Sequence, residues 1–160
     1  MDKISNLRNP QIWKIEIIWW IITAVIVVIF MLPIYRSTPQ FPFKVNNIVY
    51  IALAITYTRY IFLLRHTPFA WSIPFKIVIP CTALMVIILM GDGLMELQNT
   101  LDEDGFLSFL SHLDGDTAQT MYRYIRSEYF FFGVTCVIGS ILLPIRMIVS
   151  IWRQKNKGTI

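Results

Sequence analysis

Residues 17–35 read IIWWIITAVIVVIFMLPIY, with no charged residue among them. A soluble fold rarely buries such a run whole, because a surface helix or strand alternates apolar and polar positions. About 20 apolar residues in helical form cross roughly 30 Å of hydrocarbon. Three further runs have this character, about 45–64, 73–90 and 129–151. The expected fold class is therefore an all-α polytopic membrane protein with four transmembrane helices. Residues 1–160 are read as a single four-span membrane domain. Composition agrees: 56% of the chain is hydrophobic, 15% is charged and mean hydropathy is +0.58, against about 25% charged in soluble domains.

The first run is preceded by Lys3, Arg8 and Lys14. A cleaved signal would have an apolar core of about 7–15 residues and a small-residue exit. This run is longer and ends in Met31-Leu32-Pro33-Ile34-Tyr35, so it is expected to stay as the first span.

Four spans put both termini on one side. That side carries Lys3, Arg8, Lys14, Arg59, Arg65, Lys76, Arg146, Arg153, Lys155 and Lys157; the other carries Arg36, Lys44, Arg123 and Arg126. By the positive-inside rule both termini are expected in the cytoplasm, and the membrane to be the cytoplasmic (inner) one. The net charge of +4 is explained by these flanking bases, so no nucleic-acid partner is expected. Trp13, Trp19, Trp20, Trp71 and Trp152 fall near the inner edge, where aromatic rings favour the headgroup level.

Arg59, Lys76 and Arg146 lie inside apolar runs, within about two turns of the inner face, and Glu16 starts the first run. Two uses suit them. Long basic side chains reach out to the headgroups, which makes these three candidate anionic-lipid or partner contacts. An ion pair of Glu16 with Arg59 or Arg146 is the second use. No acid stands at the middle of a span, where proton and sodium pathways place carboxylates.

Gly133, Cys136, Ser140 and Pro144 follow one another at helical spacing in the fourth run. Small residues allow close helix approach where no hydrophobic drive operates. The stripe is read as a seam, either within the chain or towards a partner. Asn46 and Asn47 start the second run at its outer end; an interfacial helix start is the expected reading, with bonds to neighbouring helices or the first outer loop as the other. Cys81 and Cys136 stand at about 12 and 20 Å from the inner face at 1.5 Å per residue, too far apart for a disulfide.

The connection 91–128 holds eight acids and two bases. With Gly105 at the central glycine of a calcium loop, Asp102, Asp104 and Ser108 fall on ligand positions. Thr100 and Ser111, however, stand where that loop needs Asp and Glu. Phe106, Phe109, Leu110 and Leu113 already follow helical spacing. The segment is therefore expected to form two short amphipathic helices, the first over 106–113 and stopped by Gly115. The second starts at Asp116 and runs towards the fourth span, and Gly91-Asp92-Gly93 is expected as the turn that opens the segment. Phe106, Phe109, Leu110 and Leu113 are candidate partner or lipid contacts, and Asp102, Asp104, Asp114 and Asp116 candidate cation contacts.

His66 and His112 fall on opposite faces, and no nucleotide, haem or zinc spacing appears. No catalytic set and no cofactor are expected. The leading expectation is a non-catalytic accessory or structural subunit of a cytoplasmic-membrane complex, contacting other membrane subunits or further copies of itself. The second is an oligomeric cation channel or small carrier with an acidic outer vestibule.

Overall fold

The computed structural model describes residues 10–102 and 110–156, with the side chains of Trp71 and Asp102 left aside. It is all-helical, with no strand among the described residues. The four main helices are α1 (Pro10–Ser37), α2 (Lys44–Leu63), α3 (Ile73–Asp102) and α4 (Gly115–Asn156). All four are long and apolar enough to cross a membrane, as a multi-pass membrane protein requires.

Breaks in the chain have local causes. Pro39 and Pro42 cannot continue α1, because proline lacks the donor and restricts the residue before it. The turn holds through Thr38 N–H to Ile34 O at 2.8 Å and Phe41 N–H to Thr38 O at 3.2 Å. Between α2 and α3 the chain makes two 3-10 turns, Leu64–His66 and Pro68–Trp71. Thr67, before Pro68, is extended at φ −104°, ψ 150°, as its proline dictates.

Two expectations need correction. Gly91 and Gly93 do not open a turn, since α3 runs through both to Asp102. Gly93 serves a close approach instead: a Cβ there would meet the Tyr50 hydroxyl. That hydroxyl donates to Met90 O at 2.9 Å, while the Tyr129 hydroxyl donates to Gly93 O at 3.3 Å. Further on, Gly115 does not stop a helix and Asp116 does not cap one. Asp114 O accepts from Ala118 N–H at 2.8 Å, which makes Asp114 the cap, a role suited to Asp. From Gly115 the helix continues unbroken into the fourth apolar run. The first short helix falls largely outside the described residues; Leu110 and Leu113 are joined by a turn bond of 2.9 Å.

Contacts fix the topology. Gly133 lies against Tyr50, Gly139 against Tyr57, and Arg146 bonds Ile61 O, so α2 and α4 run parallel. Gly133 also meets Leu94, and Gln154 bonds Lys76, so α3 and α4 run antiparallel. Glu16 bonds Arg59, so α1 runs against α2. The result is an up-down-up-down bundle. One end holds the helix termini Pro10 and Asn156 (the terminal end); the other holds the Thr38–Phe43 turn and the α3–α4 connection (the loop end).

The interior has two apolar clusters. Towards the loop end, Ile34, Phe43, Tyr50, Leu97, Tyr129 and Phe132 pack together, with the Tyr50 and Tyr129 rings edge to face at 4.8 Å. Towards the terminal end, Tyr57, Leu64, Ala83, Cys136, Leu143 and Met147 do so. In their most apolar stretches α2 and α4 bury 44% and 33%, against 17% for α1 and for α3. The inner pair is therefore α2 and α4, and α1 and α3 flank it with apolar faces outward.

Candidate functional site: buried polar links between helices

A charged group inside an apolar bundle needs a partner, because desolvation far exceeds what an unpaired charge can recover. Among the described residues each buried charged side chain has a hydrogen-bond partner. Glu16 and Arg59 are 3% and 6% exposed and form a two-point ion pair between α1 and α2; Arg59 Nη1 donates to Glu16 Oε1 at 3.1 Å and Nη2 to Oε2. The guanidinium also lies over the rings of Trp19, at 5.4 Å, and Tyr60, at 5.7 Å. This fork-and-plane arrangement is specific to arginine.

Lys76 is fully buried in α3, and its Nζ donates to Gln154 Oε1 of α4 at 2.9 Å. Arg146 of α4 donates from Nε to Ile61 O at 3.0 Å, where α2 gives way to its 3-10 turn and carbonyls lack helical donors. The three bases expected to reach lipid headgroups or a partner thus turn inward. The physical reason is their register. Lys76 stands seven residues before Ala83 and so shares the face of α3 that packs on α4. Arg59 stands beside Tyr57 and Tyr60 on the buried side of α2.

At the loop end Asn47 of α2 and Glu128 of α4 are buried, at 0% and 5% exposed, and Asn47 Nδ2 donates to Glu128 Oε2 at 2.6 Å. Asn47, in the first turn of α2, is therefore a bridge between helices. Tyr124, one turn earlier on α4, donates to Phe30 O of α1 at 2.9 Å.

The small-residue stripe lies inside the chain. Gly133, Cys136 and Ser140 are buried, with Gly133 beneath Leu94 and Tyr50. A Cβ on Gly133 would come within 2.6 Å of Leu94 Cδ2. As contacts to another molecule these three residues are corrected: glycine and cysteine admit the tyrosines of α2, and the seam closes within the monomer. Cys81 is exposed and Cys136 buried, and both are free.

The acidic segment is described in part. Phe106, Phe109 and Asp104 lie outside the described residues. Leu110 is buried at 1% exposure and Leu113 half-buried, both against the loop-end cluster. Asp114 and Asp116 are exposed at the start of α4. Asp102 ends α3, and Thr100, the first position of the calcium-loop alignment, is helical, with its hydroxyl on Glu96 O at 2.8 Å. His112 Nε2 lies 2.7 Å from Ser37 O, tying the segment to the end of α1. Among the described residues no three His, Cys, Asp or Glu side chains gather as metal ligands. A cavity of about 300 Å³ between α1, α2 and α4 is lined by Trp19, Ala54, Phe62, Phe131 and Phe132, and its one charge, Arg59, is already held by Glu16.

Two links escaped sequence reasoning, Asn47–Glu128 and Lys76–Gln154. A heptad reading of α4 would have found half of each. Ile125, Tyr129, Phe132, Cys136, Gly139, Leu143, Met147, Ser150 and Gln154 are buried at steps of three and four, and Glu128 adjoins that face. Comparison with protein-family models, with curated proteins and with solved structures finds no match.

Proposed function

We propose that this chain is a four-span protein of the cytoplasmic membrane, with both termini in the cytoplasm, that serves as a non-catalytic accessory or structural subunit of a membrane complex. One observation carries the reading: four buried charged side chains and two buried amides link helix to helix. Glu16–Arg59 joins α1 to α2, Lys76–Gln154 joins α3 to α4, and Asn47–Glu128 joins α2 to α4. A chain that commits its interior polarity this way works as a scaffold. Partner contacts then belong to its outer faces. On α1, Ile17, Ile21, Val25 and Val28 point outward, and on α3 Met85, Ile88 and Met95 do. Lys14, Arg65, Arg153 and Lys155 are exposed at the terminal end and suit anionic headgroups or an acidic partner.

Purification in mild detergent tests the subunit role. Other polypeptides recovered in fixed ratio are expected; a homo-oligomer that passes cations in liposomes overturns it. The exposed Asp114 and Asp116 favour that channel reading as the alternative, with the acids gathering cations at the mouth. Calorimetry with calcium separates the two: heat that disappears in Asp114→Asn/Asp116→Asn supports a cation vestibule. Orientation is read by cysteine labelling at Ser111 and at Asn156, both exposed. An impermeant reagent is expected to reach Ser111→Cys from outside and Asn156→Cys only after lysis, and the reverse pattern inverts the topology.

A further inference from the structure

Among the buried oxygens without a hydrogen-bond partner in the described residues, two at the loop end face one another's side chains, Oε1 of Glu128 and Oδ1 of Asn47. They belong to side chains already joined through their other atoms, Asn47 Nδ2 to Glu128 Oε2. An ionised carboxylate only accepts, with room for about four hydrogen bonds, and a buried acceptor without a donor is costly. Among the described residues no cation acts on Glu128. Asn47 from α2 is the side chain that acts on Glu128; Glu128 in turn acts on Tyr124 of α4, whose hydroxyl is committed to Phe30 O. Glu96 of α3 acts on Tyr50 and Tyr129 instead, and no ionisable side chain of α1 acts on Glu128 among the described residues.

Carboxyl and carboxamide are both two-pronged. A proton on Oε1 turns that oxygen into a donor. The acceptor left over on the amide bound to the same carboxyl is Asn47 Oδ1. One proton therefore satisfies both orphan atoms and closes an acid–amide ring. We propose that Glu128 and Asn47 form a proton-binding site, in which Glu128 takes a proton from bulk water as the helices pack and holds it at neutral pH. Glu128 stands one residue before the apolar run 129–151, at the mouth of the bundle, where release to water at alkaline pH loosens the contact between α2 and α4. This goes beyond the subunit reading and does not depend on it.

The sign follows from linkage. The folded state binds a proton that the unfolded state releases in the ordinary carboxylate range, so stability falls as pH rises above that range. The experiment uses the full chain in mild detergent, read by infrared spectroscopy and by unfolding across pH. Expected at neutral pH is the carbonyl band of a buried carboxylic acid, absent in Glu128→Gln. The folded-to-unfolded ratio of the parent protein falls by up to about tenfold per pH unit. Glu128→Gln, which keeps a donor on that side, is flat over the same range. Should Glu128→Gln not accumulate, Glu128→Asp replaces it: the shorter acid must move both the band and the pH midpoint. No acid band at neutral pH, or one unchanged in both variants, overturns the proposal. So does a stability loss that sodium, but not choline, reverses at fixed alkaline pH, for the ligand is then a metal cation.

Discussion

Removing Glu16 is the most direct test of how the bundle is held. In Glu16→Gln the Arg59 guanidinium stays where it is, its side chain 5% exposed, but faces a neutral amide. Breaking a buried pair by removing one partner costs about 3–5 kcal/mol, because the remaining charge is left uncompensated. At 1.4 kcal/mol per tenfold, the folded-to-unfolded ratio drops by roughly a hundred- to several-thousand-fold. Arg59→Met, which leaves Glu16 without its guanidinium partner, is expected to fall in the same range. Replacing both residues by methionine removes the charges together and leaves stability within about 1 kcal/mol of the parent or above it. Reversible unfolding by a denaturing detergent in mixed micelles supplies the four free energies of the cycle. Neutral hydrogen bonds between membrane helices average about 0.6 kcal/mol, so a coupling above about 2 kcal/mol identifies an ion pair. Single variants each within about 0.5 kcal/mol of the parent, with no coupling, refute the pairing of α1 with α2 described above.

The remaining links give sharper contrasts. Gln154→Leu takes the Oε1 acceptor away from the buried Lys76 ammonium and is expected to cost about 1–3 kcal/mol, whereas Lys76→Met removes the buried charge and costs less; equal losses by the same unfolding assay contradict the link. Gly93→Ala pushes a methyl into the Tyr50 hydroxyl and is expected to lose about 1–3 kcal/mol as overpacking, despite the gain of about 1 kcal/mol that alanine brings to a helix. Tyr50→Phe in the same chain is expected to recover part of that loss, and no recovery means the clash is not with the hydroxyl.

The helices were legible because runs this long and apolar depart from the alternating pattern of soluble surface elements; length and apolarity alone located all four. Their extents were not. Gly91 and Gly93 look like a turn, but glycine also permits close packing, and Tyr50 decides between the two. The site was legible as a list of charges and illegible as pairs. Arg59, Lys76 and Arg146 stand close enough to helix ends to reach water, and nothing local distinguishes that from turning inward. The deciding information lies on another helix: Glu16 is 43 residues from Arg59, Gln154 is 78 from Lys76 and Glu128 is 81 from Asn47. The stripe of Gly133, Cys136 and Ser140 was found but its counterpart was not, since the tyrosines that fill it are on α2.

Those separations set an order of events during synthesis. At roughly 5–20 residues per second, the Glu16–Arg59 pair can close within seconds of the second helix emerging. Lys76 waits about 4–16 s for Gln154, which stands near the end of α4. In the proposed membrane setting a lysine this close to the end of α3 can meanwhile stretch out to the headgroups. The outward reach expected of Lys76 would then suit the half-made chain, since its bond to Gln154 can form only once α4 has been made. A chain cut short before Gln154 would keep that lysine at the surface as a visible mark of an unfinished protein.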